Sequence, residues 1–283
     1  MRIDAHHHVW DLAVRDQPWT ADLPPLRRSY ALADLRPDLE EARIERTVLV
    51  QTVPVAEETP EFLALAAGPG ADVVAGVVGW VELTAPDVAE RLTHLQAATG
   101  GDRLVGVRHL VQSEPDPHWL ARPDVRRGVA AVGAAGLAYD VLVRPAQLPA
   151  AVEIVLALPE VRFVLDHVAK PPIATGELEP WRTDLRRLAA APNVAVKLSG
   201  IVTEADAERW TVADLRPYAE VVLDAFGPER TMFGSDWPVC LLAADYATVV
   251  AAAEELTADL TATERAAVFG GTAAEWYRLP DGD

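Results

Sequence analysis

The chain has 283 residues with 43 acidic and 25 basic side chains, so its formal net charge is −18. Half of the residues are apolar, which is enough for a large core and excludes a disordered chain. The negative charge repels phosphate backbones and therefore disfavours nucleic acid as a partner. A single cysteine, Cys240, cannot form an internal disulfide, which is typical of a protein from a reducing compartment.

The sequence also lacks signals for a membrane or for secretion. No apolar run approaches the ~18 residues of a membrane span, and the N-terminal residues lack the apolar region of a signal peptide. We therefore expect a cytoplasmic globular protein that does not associate with a membrane.

Eight short apolar segments, rich in β-branched residues, predict strands over residues 2–6, 47–53, 73–80, 104–111, 137–143, 161–167, 193–199 and 231–234. Several are almost continuously apolar, which is typical of strands that are covered on both faces. Helical segments lie between them. Pro123-Asp124 predicts the start of one helix and Gly136 its end, while Pro86-Asp87 and Asp214-Leu215 predict two further starts.

This alternation predicts a parallel sheet, and eight βα units in a chain of this length predict a single-domain (β/α)8 TIM barrel over residues 1–283. The alternative is an open doubly wound sheet, although no glycine-rich nucleotide-binding motif follows any predicted strand. Residues 10–33 are expected to form a loop over the barrel mouth, and the tail at residues 281–283 is expected to be loosely held.

Reactive side chains collect where the predicted strands end, which is where barrel enzymes carry their active sites. Histidines in particular lie on or at the ends of strands, whereas surface histidines would favour helices and loops; His94 and His118 are expected to face solvent. The candidate site residues are His6, His8, Arg108, Tyr139, His167, Lys197, Asp236 and Trp237.

The spacing of His6 and His8 predicts metal binding. Alternate residues of a strand point to the same side, so both imidazoles should face the barrel axis while His7 points away. Two neutral imidazoles can bind one ion between them, and Asp236 would be the carboxylate ligand or the proton acceptor. The alternatives are a tag remnant for the histidines and a helix cap for Asp236.

The remaining candidates each have two interpretations. A cation in a strand interior requires a partner, so Arg108 and Lys197 form either an internal ion pair or a contact with substrate. His167 either takes part in the chemistry or only hydrogen-bonds to a loop. The ring of Trp237 forms either a wall of the substrate pocket or part of the core.

Five segments carry a resemblance to a known family: residues 3–10 (IDAHHHVW), 106–112 (GVRHLVQ), 165–171 (LDHVAKP), 196–200 (VKLSG) and 233–238 (FGSDWP). In this order they resemble the amidohydrolase superfamily. Within it they are similar to the amidohydrolase-related branch, which contains sugar-acid lactonases such as fuconolactonase and also pyrone-dicarboxylate lactonase. The resemblance extends from Ile3 to about Leu279, and the segments around Arg108 and Asp236 are its most specific parts.

The resemblance implies a role for most of the candidates: a metal position at His6 and His8, the general base at Asp236, a site histidine at His167, and substrate contacts at Arg108 and Tyr139. Binuclear members carry a lysine on strand four and a histidine on strand five, where this chain has Arg108 and Tyr139. We therefore expect at most one divalent cation, Zn²⁺. A mechanism without metal stays open, because some members of this branch resemble the pattern and need none.

Together these features predict a hydrolase that opens a small sugar-acid lactone. Asp236 would take a proton from the attacking water, while His167 and Arg108 would stabilise the oxyanion. Amide hydrolysis or non-oxidative decarboxylation on the same scaffold is the first alternative, and a non-catalytic sugar-acid binding protein is the second. The expected partner is a small-molecule lactone, and the expected assembly is a monomer or a homodimer.

Overall fold

Eight parallel strands pair in the order of the chain, from β1 to β8. The structure is a computed structural model and describes residues 1–280, so the expectation for the tail at residues 281–283 lies outside the described range. The strands are β1 (Ile3–His7), β2 (Arg46–Val50), β3 (Val74–Gly79), β4 (Leu104–His109), β5 (Ala138–Val141), β6 (Arg162–Leu165), β7 (Val194–Leu198) and β8 (Thr231–Phe233).

Each strand overlaps the segment that was predicted for it, but all except β1 end earlier than predicted. The reason is that the last polar residues of these segments, such as Thr52, His167 and Ser199, already belong to the turns at the barrel mouth. The predicted parallel (β/α)8 barrel is confirmed. The alternative of an open sheet is excluded, because the segment after β8 bonds back to β1.

The seam between β1 and the segment after β8 closes the barrel. The N–H group of His8 donates to the carbonyl of Trp237 at 2.7 Å, and the N–H group of Asp236 donates to the carbonyl of His6 at 2.8 Å. Beside this seam, the Asp4 carboxylate accepts hydrogen bonds from the N–H group of Ser235 at 2.8 Å and from its hydroxyl at 2.6 Å. These bonds fix Asp236 relative to the histidines of β1.

The helices are α1 (Leu32–Glu41), α2 (Glu58–Ala67), α3 (Val88–Ala97), α4 (Pro123–Ala134), α5 (Leu148–Ala157), α6 (Trp181–Ala189), α7 (Val212–Phe226), α8 (Tyr246–Leu256), α9 (Ala262–Ala266) and α10 (Thr272–Tyr277). α4 begins at Pro123 as predicted, and Gly136, with a φ of 80°, follows its end. α7 begins earlier than predicted because Asp214 accepts a hydrogen bond from the N–H group of Thr211 at 2.8 Å, which caps the helix. None of the helices within residues 1–280 is both long and apolar enough to cross a membrane.

The two ends of the barrel interior differ in polarity. Small and β-branched side chains such as Ala5, Val48 and Val164 fill the N-terminal part, and α10 covers this end with Trp276 and Tyr277. A larger apolar layer lies between the sheet and the surrounding helices. The polar groups at the other end therefore lie on a closed layer of apolar side chains.

Residues 10–33 lie over the mouth of the barrel, as predicted, although the last two belong to α1. Backbone hydrogen bonds of 2.9 and 2.8 Å between Trp10 and Tyr30 hold the base of this loop. Its tip brings Trp19 and Leu23 to the wall of the cavity described below.

Candidate active site

Three histidines and one aspartate meet at the C-terminal end of the barrel. Oδ1 of Asp236 lies 3.4 Å from Nε2 of His8 and 3.7 Å from Nε2 of His6. It lies 3.8 Å from Nε2 of His167, and the Nε2 atoms of His6 and His8 are 3.2 Å apart. All four side chains are buried, so the cluster is largely sheltered from bulk water.

β1 presents His6 and His8 to the same side, as its alternation predicts. His7 points elsewhere, and its Nε2 atom lies 2.9 Å from Oγ1 of Thr47. Nδ1 of His8 lies 2.8 Å from the carbonyl oxygen of Val50, which can only accept a hydrogen bond. Nδ1 therefore carries the proton and Nε2 keeps its lone pair. A tag remnant is excluded, because all three histidines are buried in the barrel.

Asp236 follows β8 with a left-handed backbone conformation, at a φ of 59°. Burial alone would raise the pKa of this carboxyl, but the neighbouring imidazoles of His167 and His8 lower the pKa below its usual range. The carboxylate is therefore ionised at neutral pH. The short helical turn Val239–Leu242 that follows has no side-chain cap, so Asp236 is not a helix cap.

His167 begins a turn whose four residues, 167–170, all have positive φ, between 45° and 61°. This backbone is strained for the β-branched Val168, and strain of this kind is commonly retained at functional sites. Nδ1 of His167 lies 2.9 Å from Oγ of Ser199, and burial lowers the pKa of His167 to about 4, so the ring is neutral at pH 7. Gly200 (φ 63°) permits this arrangement, because a Cβ atom there would lie 2.7 Å from that Nδ1 atom.

Three of these groups, His6, His167 and Asp236, each offer one donor atom within 4.8 Å of the others, as a site for one small divalent cation requires. A tetrahedral zinc ion with ligands at ~2.0–2.1 Å requires donor atoms roughly 3.3 Å apart. Within this set, Oδ1 of Asp236 lies 3.7 Å from Nε2 of His6 and 3.8 Å from Nε2 of His167. The second nitrogen atoms of His8 and His167 contact the Val50 carbonyl and the Ser199 hydroxyl, the outer contacts that metal-binding histidines need. His6, His8 and Asp236 were predicted as ligands. The structure groups His6 and Asp236 with His167, whereas His8 lies beside His6 and Asp236 but outside that group, so its role as a ligand stays a prediction.

Arg108 reaches the cluster from β4 and is firmly held. Its Nε atom donates to the side-chain oxygen of Gln51 at 2.9 Å, and Nη1 donates to Asp166 at 3.0 Å. Nη1 also lies 3.3 Å from Nε2 of His6. The side chain lines the cavity while only 3% exposed, so Arg108 both forms an internal ion pair and borders the site.

Lys197 lies deeper in the barrel than was predicted. Its fully buried ammonium group is 2.6 Å from Asp140 and 3.0 Å from Asp166, and it lies 3.2 Å from Nδ1 of His6. Lys197 does not line the cavity and forms the internal ion pair that was one of its two interpretations, while a contact with substrate stays a prediction. Together with Arg108 it places two cations, each paired with a buried aspartate, beside His6.

Tyr139 and Trp237 do not reach the cavity either. β5 directs Asp140 into the barrel, so Tyr139 points outward and its ring packs edge to face on Phe163, with centroids 6.2 Å apart. The ring of Trp237 is buried against Tyr30 at 5.4 Å. Core packing accounts for both rings in this structure, and their contacts with substrate stay predictions.

A cavity of about 260 Å³ opens above the cluster, lined by His8, Arg108, His167 and Asp236. Its apolar lining consists of Trp19, Leu23, Leu110, Leu142, Val239 and Leu242. Its other polar lining consists of Thr52, Gln112, Ser113, Lys170, Thr203 and Glu204. No role was predicted from the sequence for this second polar group. Each of its members lies within a few residues after a strand, which is the signal that would have found them.

Comparison with known proteins identifies the family. Residues 3–279 match the family model described as Amidohydrolase, and the chain belongs to this family. Two relatives carry the name L-fucono-1,5-lactonase. The one from Burkholderia ambifaria is 39% identical, covering 100% of this chain and 98% of its own. The one from Burkholderia multivorans is 42% identical, covering 99% of this chain and 97% of its own.

Solved structures give the same result. An amidohydrolase from Burkholderia multivorans with bound zinc matches with a TM-score of 0.93 and 40% identity, over 99% of this chain and 100% of that chain. A probable 2-pyrone-4,6-dicarboxylic acid hydrolase from Acinetobacter baumannii, at 17% identity and a TM-score of 0.77 over 98% and 99% of the two chains, shares the fold. The predicted family and barrel are confirmed.

Proposed function

We propose that this protein opens the ester ring of a small sugar-acid lactone by hydrolysis, with L-fucono-1,5-lactone as the first candidate substrate. Two L-fucono-1,5-lactonases, 39% and 42% identical over nearly the whole chain, support a sugar-acid lactone hydrolase. The observation that carries the proposal is the ionised Asp236 carboxylate, which lies within 3.8 Å of three imidazoles in the wall of the cavity. At about 260 Å³, this cavity suits one small ring.

In this proposal Asp236 is the general base. Attack of water on an ester carbonyl requires that the water lose a proton, and the ionised carboxylate is available to accept it. Its backbone N–H group is tied to His6 and its side chain contacts His8, so the base is held in one orientation. A positioned base of this kind contributes about 10²–10⁴-fold to the rate.

One divalent cation, which we take to be Zn²⁺, would be held by His6, His167 and Asp236, with the predicted ligand His8 beside them. The relative that was crystallised with zinc at 40% identity supports this assignment. When bound, such a cation supplies a Lewis acid that polarises a carbonyl and acidifies water. For Nε2 of His167 to act as a ligand, the ring proton must lie on Nδ1 and be donated to Ser199.

Arg108 is the proposed stabiliser of negative charge on the carbonyl oxygen. Its guanidinium borders the cavity and is already fixed by Gln51 and Asp166, so it needs no reorientation during the reaction. A well-aimed donor of this kind contributes about 2.7–4 kcal/mol to catalysis. A direct contribution of His167 to the same oxygen stays a prediction.

The proposal extends to the setting of the enzyme. We expect it to work in the cytoplasm as a monomer or a homodimer, since its single cysteine suits a reducing compartment. Light scattering on the purified protein distinguishes the two assemblies.

Proton release with L-fucono-1,5-lactone and a panel of aldonolactones tests the proposal. We expect one proton per opened ring and a product that keeps all of its carbons. Release of CO₂, or no turnover across the panel, contradicts the proposal. Repeating the assay after treatment with a chelator and after addition of Zn²⁺ shows whether turnover requires the cation.

A further inference from the structure

Lys170 and Glu204 form an ion pair in the wall of the cavity that holds the reactive cluster. Nζ of Lys170 lies 2.9 Å from Oε1 of Glu204, and the side chains are 16% and 23% exposed. Both residues border the same space as His167 and Asp236. The pair is therefore within reach of a molecule bound there, unlike the fully buried pair of Lys197.

Short turns hold both members of the pair. Lys170 ends the left-handed turn that starts at His167, so its position is tied to that of the site histidine. Glu204 ends the short helical turn Val202–Glu204 after β7, and the hydroxyl of Thr203 donates to the carbonyl of Gly200 at 2.8 Å. The pair is thus fixed by backbone geometry rather than by a long loop.

Apart from the proposed cation position, the cavity lining offers no unpaired lysine or arginine to a negatively charged substrate, within residues 1–280. Of its two basic residues, Arg108 is held by Asp166 at 3.0 Å and Lys170 by Glu204 at 2.9 Å. A substrate carboxylate beside Lys170 would lose its hydration and would face Glu204, whose charge already occupies the ammonium group. Such a cavity favours an uncharged ligand.

We infer that the Lys170–Glu204 pair determines specificity by binding neighbouring hydroxyl groups of a neutral lactone and by rejecting lactones that carry a carboxylate. This inference rests on the proposed function. An ammonium group has three donors and a carboxylate has several acceptor sites, so each member keeps hydrogen-bonding capacity beyond their mutual bond. A hydroxyl group both donates and accepts, and therefore two adjacent hydroxyls match the pair.

The other side chains of the cavity agree with an uncharged, hydroxylated ring. Thr52, Gln112 and Ser113 are neutral hydrogen-bonding groups, whereas Trp19 and Leu242 provide apolar contacts. Bound sugars typically present hydroxyls on one side and C–H groups on the other, so a mixed lining of this kind suits them.

Glu204→Gln tests the inference, because it keeps the size of the side chain but frees the Lys170 ammonium for a substrate carboxylate. The measurement is kcat/KM for two lactones of the same ring, one neutral and one with a terminal carboxylate. We expect the wild type to prefer the neutral lactone, and the preference to fall at least tenfold in E204Q. Glu204→Asp, which keeps the charge, should retain more of the preference than E204Q.

An E204Q enzyme with an unchanged preference would overturn the inference, as would a wild type that favours the carboxylated lactone. Glu153→Gln, in the exposed pair with Arg126, is the matched control and should behave as the wild type. If the wild type hydrolyses neither lactone, the proposed function fails. Calorimetric binding of the two ring-opened acids then tests the inference separately, since the singly charged acid should still bind more tightly than the doubly charged one and E204Q should reduce the difference.

Discussion

Lys197 and Asp140 form an ion pair with a 2.6 Å separation inside the barrel, where neither side chain is exposed. The hydroxyl of Tyr277, on the helix that covers the N-terminal end, donates to the same aspartate at 2.7 Å. At its other side the ammonium group lies 3.2 Å from Nδ1 of His6. The pair therefore links the floor of the barrel to the reactive cluster.

Lys197→Met should destabilise the protein by about 3–5 kcal/mol, because the change leaves buried carboxylates without their cation. Urea unfolding measures the loss. The double variant Lys197→Met/Asp140→Leu should recover part of it, since it removes one of the unpaired charges. Arg186→Met, which breaks an exposed pair with Asp224, is the control and should cost less than about 1 kcal/mol. A similarly small loss for Lys197→Met would contradict this account.

Buried histidines should make the stability of the metal-free protein depend on pH. Burial lowers the pKa of His7 to about 3 and that of His167 to about 4, whereas the unfolded chain binds these protons near pH 6.5. As the pH falls from 6.5 toward 4, the unfolded state takes up protons that the folded state does not, so the free energy of unfolding decreases. Asp4 and Asp140, whose pKa values burial raises to about 6, partly offset this decrease between about pH 6 and 4.

His7→Gln isolates one of these protons without removing a proposed ligand. Its free energy of unfolding should depend less steeply on pH than that of the wild type between pH 6 and 4, by about 1 kcal/mol per pH unit. Chemical denaturation at several pH values gives the slopes. His94→Gln, on the exposed side of α3, should keep the wild-type slope. Equal slopes for His7→Gln and the wild type would refute the assignment.

Zinc binding tests the proposed ligands. Calorimetric titration of the metal-free protein should give one equivalent of bound Zn²⁺. His8→Asn and His167→Asn should each weaken binding by at least tenfold, while His7→Gln should bind as the wild type does. Unchanged affinity in His167→Asn would remove that residue from the donor set, and unchanged turnover after chelation would exclude a role for the cation in the reaction.

Much of the fold could be predicted because the alternation of side chains along a strand and the order of strands and helices along the chain are both visible in local sequence patterns. The alternation that places His6 and His8 on one side follows from the strand alone, and the structure shows that orientation. Strand ends were less accurate, since residues such as Thr52 have strand-like neighbours but already belong to the mouth. The left-handed turn after β6 contains no glycine, so the sequence gives no signal for it.

The depth of a side chain inside the barrel is set by register between strands that are distant in sequence. For this reason Tyr139 was placed in the site, whereas Asp140, one residue later, is the inward residue of β5. Lys197 has two interpretations from the sequence because only the structure shows that two aspartates from other strands surround it. The Lys170–Glu204 pair forms because two turns that are distant in sequence lie close together, and no local sequence pattern indicates this.

Turnover by Asp236→Asn tests the central claim most directly. The amide keeps the shape of the carboxylate but cannot accept a proton from water, and Asp224→Asn on the exposed face of α7 is the matched control. With the lactone that the wild type hydrolyses best, the account predicts a fall in kcat of about 10²–10⁴-fold, with KM changed by no more than a few fold. Full lactonase activity in a folded D236N variant would contradict it.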